Sequence, residues 1–80
     1  MDGQQINILA FGKVAEKLGQ EQLQASGFDD TESLLHWLHD RYPALKQVDF
    51  SLAVDRKLVT GKTGLGRMCE VALLPPFSGG

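Results

Sequence analysis

Four sets of residues in this 80-residue chain have types or spacings that could do chemistry: the terminal run Leu74-Pro75-Pro76-Phe77-Ser78-Gly79-Gly80, the pair His36 and His39, the thiol of Cys69, and the glycines at 61, 64 and 66. The histidines stand three apart and could share a helix face. Without Cys or carboxylate partners at ligand spacing they make a poor metal site, and surface or partly packed imidazoles are expected. Cys69 is the lone cysteine, so no internal disulfide forms, and a reducing compartment suits it. It has no evident His partner and precedes a predicted central strand, which favours a packed thiol over a catalytic one. The glycines fit neither a P-loop nor a dinucleotide fingerprint and read as a plain flexible loop. Trp37, on the predicted main helix, reads as a packing residue.

The terminal run is the strongest chemical signal. Two prolines cannot donate to a strand ladder and favour an extended path, so the chain is expected to leave the sheet after Leu74 and project as a tail over 75–80. Two glycines without side chains let that end enter a narrow channel, presenting the carboxylate of Gly80 to a nucleotide or to a partner's active site. The chemistry would then belong to the partner. Ordering six tail residues costs roughly 6 to 12 kcal/mol in backbone freedom. Phe77 and Leu74 are the apolar anchors that offset part of it, at about 1.5 to 3 kcal/mol each.

A domain over 1–74 must hold that tail. Gln5 to Phe11 alternates and is rich in strand formers, with Ile6 and Ile8 on one face and Leu9 and Phe11 on the other. Val14 and Leu18, four apart between Gly12 and Gly19, mark a short helix, and Gln22 to Ala25 a second strand. Asp30 or Thr31 can cap the main helix, where Leu34, Leu38 and Tyr42 recur every four residues with Leu35 beside them, and Pro43 ends it. Leu52 to Val54 and Lys57 to Val59 read as short strands around an Asp55-Arg56 turn. The last strand reads as Glu70 to Leu74, preceded by a turn at Arg67-Met68-Cys69-Glu70. These elements predict an α+β domain of the ubiquitin-like β-grasp type: a mixed sheet of about five strands covering one main helix, burying Leu34, Leu35 and Leu38. First and last strands are expected side by side in the middle, which suits the continuous apolar run Ala72-Leu73-Leu74.

Composition excludes several other classes. At 42% hydrophobic and 22% charged, the chain has the makings of a core, so disorder is not favoured. A net charge of -2 and no basic run argue against nucleic acid. Its apolar stretches fall far short of the roughly 20 residues a membrane span needs, and the first residues lack a signal-peptide pattern, so a cytoplasmic location is expected.

The segment Leu74-Pro75-Pro76-Phe77-Ser78-Gly79-Gly80 after an apolar strand closely resembles the small subunits of molybdopterin synthase, in the family of ubiquitin-like sulfur carriers. Ile6-Asn7-Ile8-Leu9-Ala10-Phe11, Ala53-Val54-Asp55 and Tyr42-Pro43 extend the resemblance over the whole domain. A terminal Gly-Gly alone is shared by ubiquitin-like proteins of several functions; two prolines at this spacing are more specific. The resemblance implies no catalytic residues beyond the Gly80 carboxylate and no bound cofactor. An E1-like adenylyltransferase would use ATP to turn Gly80 into an acyl-adenylate, and a sulfurtransferase donor would leave a thiocarboxylate. The synthase large subunit, in a heterotetramer, would bind the tail and one sheet face and pass the sulfur to cyclic pyranopterin monophosphate. A carrier for another pathway such as thiazole synthesis, and a protein modifier joined to lysines, are the alternatives. The chain departs from the family at the Arg67-Met68-Cys69-Glu70 turn and in having Asp55-Arg56 where an Asn-Gly type of turn is more usual.

Overall fold

The computed structural model describes residues 3–76. In chain order the elements are β1 (Gln5–Ala10), α1 (Gly12–Leu18), β2 (Gln22–Ala25), α2 (Thr31–Arg41), a 3-10 turn (Pro43–Gln47), β3 (Ser51–Val54), β4 (Lys57–Val59) and β5 (Met68–Leu74). The sheet order is β2-β1-β5-β3-β4, with β1 and β5 parallel and the other pairs antiparallel. This is the β-grasp arrangement, and the expected neighbours β1 and β5 do lie together inside the sheet.

Period-two alternation explains which face is covered. Ile6, Ile8 and Ala10 of β1, Cys69, Val71 and Leu73 of β5, and Leu52 and Val54 of β3 turn to the helices and meet Val14, Leu18, Leu34, Leu38 and Leu45 in one core. Ile6, Ile8, Leu34, Leu38, Leu45 and Leu73 are completely buried, each stabilising the fold by about 1.5 to 3 kcal/mol. Asp30 caps α2 by accepting a 2.9 Å hydrogen bond from the Ser33 N–H, and that bond holds its carboxyl below the usual aspartate range. Gly19 ends α1 in the left-handed region at φ 87°, where a side chain would be strained.

Four local expectations are corrected, and one element is added. Phe11 lies past the end of β1 at Ala10, as the residue that caps the start of α1, and it is 46% exposed. Leu35 is half-buried, since it lies on the flank of α2 beside the fully buried Leu34 and Leu38. Residues Met68 to Glu70 form no turn: β5 starts at Met68, paired with Gln5 of β1. The glycine loop 61–66 is not plain slack. Thr31 N–H donates to Thr63 O at 2.9 Å, Thr63 N–H to Thr31 Oγ1 at 3.0 Å and Leu65 N–H to Asp29 O at 2.8 Å, so the loop is laced to the start of α2. Finally, Pro43–Gln47 coils into a 3-10 turn that inserts Leu45 into the core.

Candidate functional site

Because β1 and β5 run parallel, both finish at the same end of the sheet, and the tail root is built there. Phe11 N–H donates to Leu73 O at 3.3 Å, continuing the β1–β5 ladder one step past Ala10. On its other side β5 is held by β3, with Leu74 opposite Ser51. Leu74 is half-buried, Pro75 is half-buried, and Pro76 is exposed. Strand pairing stops at Leu74, as the missing N–H of two successive prolines requires. Phe77, Ser78, Gly79 and Gly80 lie outside the described residues.

The sheet face turned away from the helices carries an apolar row leading toward this exit. Leu9, Ala72, Ala53 and Leu58 lie in register across β1, β5, β3 and β4, and Leu74 follows Ala72 on the same face of β5. Ala72 and Ala53 are small enough to sit buried in the floor, at 8% and 7% exposure, while Leu58 stands 65% exposed at the rim. Met68, at 76%, adds a second exposed apolar side chain to that face. The sequence pointed to a sheet face without naming these residues, although the register brings together apolar positions from four strands.

The other chemically suggestive residues take structural places. Cys69 is buried in the core-facing row of β5, its Sγ 3.9 Å from Gly66 O. Burial, and next the Asp55 carboxylate, push its thiol up from the ordinary range, which keeps it protonated and a poor nucleophile at neutral pH. His36 is exposed, whereas His39 is half-buried against the Phe50 ring at 5.9 Å. Among the described residues no group of three or more His, Cys, Asp or Glu is placed to hold a metal. Trp37 packs between Phe28 at 5.3 Å and Tyr42 at 6.4 Å, as a structural aromatic should. No described helix is long and apolar enough to cross a membrane.

Comparison with known proteins shows the family. The chain is 31% identical to the molybdopterin synthase sulfur carrier subunit of Caenorhabditis briggsae over 94% of its own length and 96% of the relative's. Small archaeal modifier protein 1 from Methanosarcina acetivorans superposes with a TM-score of 0.81 at 26% identity, covering 98% of each chain. Its counterpart from Haloferax volcanii reaches 0.78 at 20% identity, over 95% of this chain and 99% of that one, a likeness of fold alone. The ThiS family profile matches residues 8–80, from the middle of β1 through the terminal glycines. A parallel β1–β5 pair delivering a two-proline, two-glycine terminus, matched along its length by that profile, places the chain in the ThiS family of ubiquitin-like sulfur carriers.

Proposed function

We propose that this protein is the sulfur-carrying subunit of a molybdopterin synthase and that its working group is the carboxylate of Gly80. A carboxylate is a poor acylating centre because its charge is delocalised and its oxygen is a poor leaving group. Attack of a Gly80 oxygen on the α-phosphorus of ATP, in an E1-like adenylyltransferase, releases pyrophosphate and forms an acyl-adenylate. Hydrosulfide-level sulfur then attacks that carbonyl, the acyl–oxygen bond to the phosphate breaks, AMP departs, and a thiocarboxylate remains; a persulfide donor would instead form an acyl disulfide that a second thiol cleaves to the same thiocarboxylate. In the large subunit the sulfur passes to cyclic pyranopterin monophosphate, and two carriers are consumed per dithiolene.

The observation that carries this reading is the exit of β5. An interior strand of the sheet, hydrogen-bonded on both sides, runs directly into Pro75 and Pro76, two residues that cannot donate to the ladder, and the sequence continues to Gly79-Gly80. The relative from Caenorhabditis briggsae, named for a molybdopterin synthase sulfur carrier, supports the choice of pathway. The test is intact-mass analysis after incubation with an activating enzyme, ATP and a sulfur source. A sulfur-for-oxygen gain should map to Gly80; a gain found on Cys69 instead would remove the proposal.

A second reading, a modifier joined through Gly80 to lysines, is favoured by the 26% likeness to small archaeal modifier protein 1. Co-purification from the source cell separates the two. A large synthase subunit supports the carrier, a ladder of conjugates supports the modifier, and a thiazole synthase would point to a carrier of another pathway.

A further inference from the structure

The Pro75 ring lies against Gly12, the first residue of α1. A Cβ built on Gly12 would sit 3.3 Å from Pro75 Cγ and 4.0 Å from Pro75 Cβ, so a side chain there would press on the ring and make it give by a few tenths of an ångström. Gly12 is also in the left-handed region, at φ 57°, where glycine is favoured. On the preceding residue, Phe11 N–H holds Leu73 O. The segment Phe11-Gly12 thus touches β5 and the tail root at two consecutive points.

We propose that Gly12 is a positioning residue for the C-terminal tail, forming a side-chain-free seat on which the Pro75 ring sets the direction in which the terminus leaves the sheet. This rests on the sulfur-carrier reading for its consequence, though not for its geometry. The ring fixes φ of Pro75, and Pro76 confines Pro75 itself to extended ψ, so the bend that follows Leu74 has little freedom of its own. Whatever tilts the Pro75 ring therefore tilts Pro76, the start of the tail, with it. Misplacement of a reacting group by about 1 Å can cost on the order of 10²-fold in rate. A single added Cβ at residue 12 is large enough to matter because 3.3 Å is closer than carbon atoms ordinarily rest, at about 3.5 to 4.0 Å.

The test uses Gly12→Asn, since asparagine tolerates positive φ yet carries a Cβ. In the full chain, adenylation of Gly80 by the activating enzyme should fall in kcat by about 10-fold or more, with KM changed less than about 2-fold because the docking face is untouched. In a Pro75→Ala background the same substitution should cost less than about 2-fold, since the ring it displaces is gone. Equal losses in both backgrounds, or a normal kcat for Gly12→Asn, would overturn the proposal. The seat is also read without activity: the full chain should show a nuclear Overhauser contact between Gly12 Hα and the Pro75 ring protons, lost in Gly12→Asn. Its absence from the unsubstituted chain would overturn the seat even if Gly80 carries sulfur. If the contact is present but Gly80 is never activated, the carrier reading fails and the seat stands.

Discussion

Where β1 and β5 begin, one side chain ties three segments together: Gln4 donates to Phe28 O at 2.6 Å and Gly66 O at 2.9 Å, and its Oε1 accepts from the N–H groups of Gly27 at 2.7 Å and Phe28 at 2.9 Å. Where the same strands finish, the chain is guided by packing, with the Pro75 ring on Gly12 and Leu74 half-buried on the open face. Both ends belong to the same two strands, yet one is laced by polar contacts and the other releases a terminus. The contrast separates stability from function along a single sheet. Changes at the laced end should act on folding free energy, and changes at the exit should act on the chemistry of the tail.

The largest effect belongs to the exit. Removing Gly80 should abolish sulfur transfer while thermal unfolding of the shortened chain matches that of the full chain, because the last core side chain is Leu73. A substantial fall in Tm would break the contrast by showing that the terminus packs into the domain.

The reverse result is expected at the other end. A glutamine amide has two donor hydrogens and an oxygen that accepts twice, and Gln4 uses both of its polar atoms in two bonds each. Gln4→Ala leaves the Phe28 groups, half-buried, to find water or go unpaired. The expected destabilisation is about 1 to 3 kcal/mol, and for a chain of this size each kcal/mol lowers Tm by roughly 4 to 8 °C. Denaturant unfolding measures it. Sulfuration of Gly80 well below the new Tm should proceed at the unsubstituted rate, and a selective loss there would mean that the two ends are coupled.

How far each end was legible follows from the range of its contacts. The strands and α2 announce themselves by local period, as with Ile6 and Ile8 or Leu34 and Leu38, and the tail by two prolines followed two residues later by two glycines. Gln4 gave no such signal, because its partners Phe28 and Gly66 lie 24 and 62 residues away. Thr31 and Thr63 are likewise distant, so the glycine loop reads as slack until its backbone partners are known. The start of β5 was legible in principle: Met68 and Glu70 face outward while Cys69 and Val71 face inward, a strand alternation hidden by a polar composition that suggests a turn. Leu45 is a single buried anchor in a short turn and has no periodicity to betray it.

The smallest expected effect sharpens the account of the laced end, at the β3–β4 hairpin. Asp55 and Arg56 both have positive φ, 51° and 72°, the geometry of the two-residue turn that normally calls for Asn-Gly. Asp55 belongs there, for its Oδ1 accepts from Glu70 N–H at 3.0 Å and its own N–H donates to Glu70 O at 2.9 Å, pinning the turn to β5. Arg56 is exposed and in a conformation that disfavours a Cβ by about 1 to 2 kcal/mol. Arg56→Gly removes that strain, but it also enlarges the freedom of the unfolded chain by about 0.4 to 1 kcal/mol. The difference should be a net stabilisation of about 0 to 1.6 kcal/mol in denaturant unfolding, with no change in sulfuration because the hairpin turn stands at the end of the sheet away from the tail. Destabilisation would show that the Arg56 side chain stabilises the turn by more than its backbone strain costs. Asp55→Ala gives the complementary measurement: it keeps a Cβ at positive φ while deleting the carboxylate bond to Glu70, so it should destabilise where Arg56→Gly stabilises.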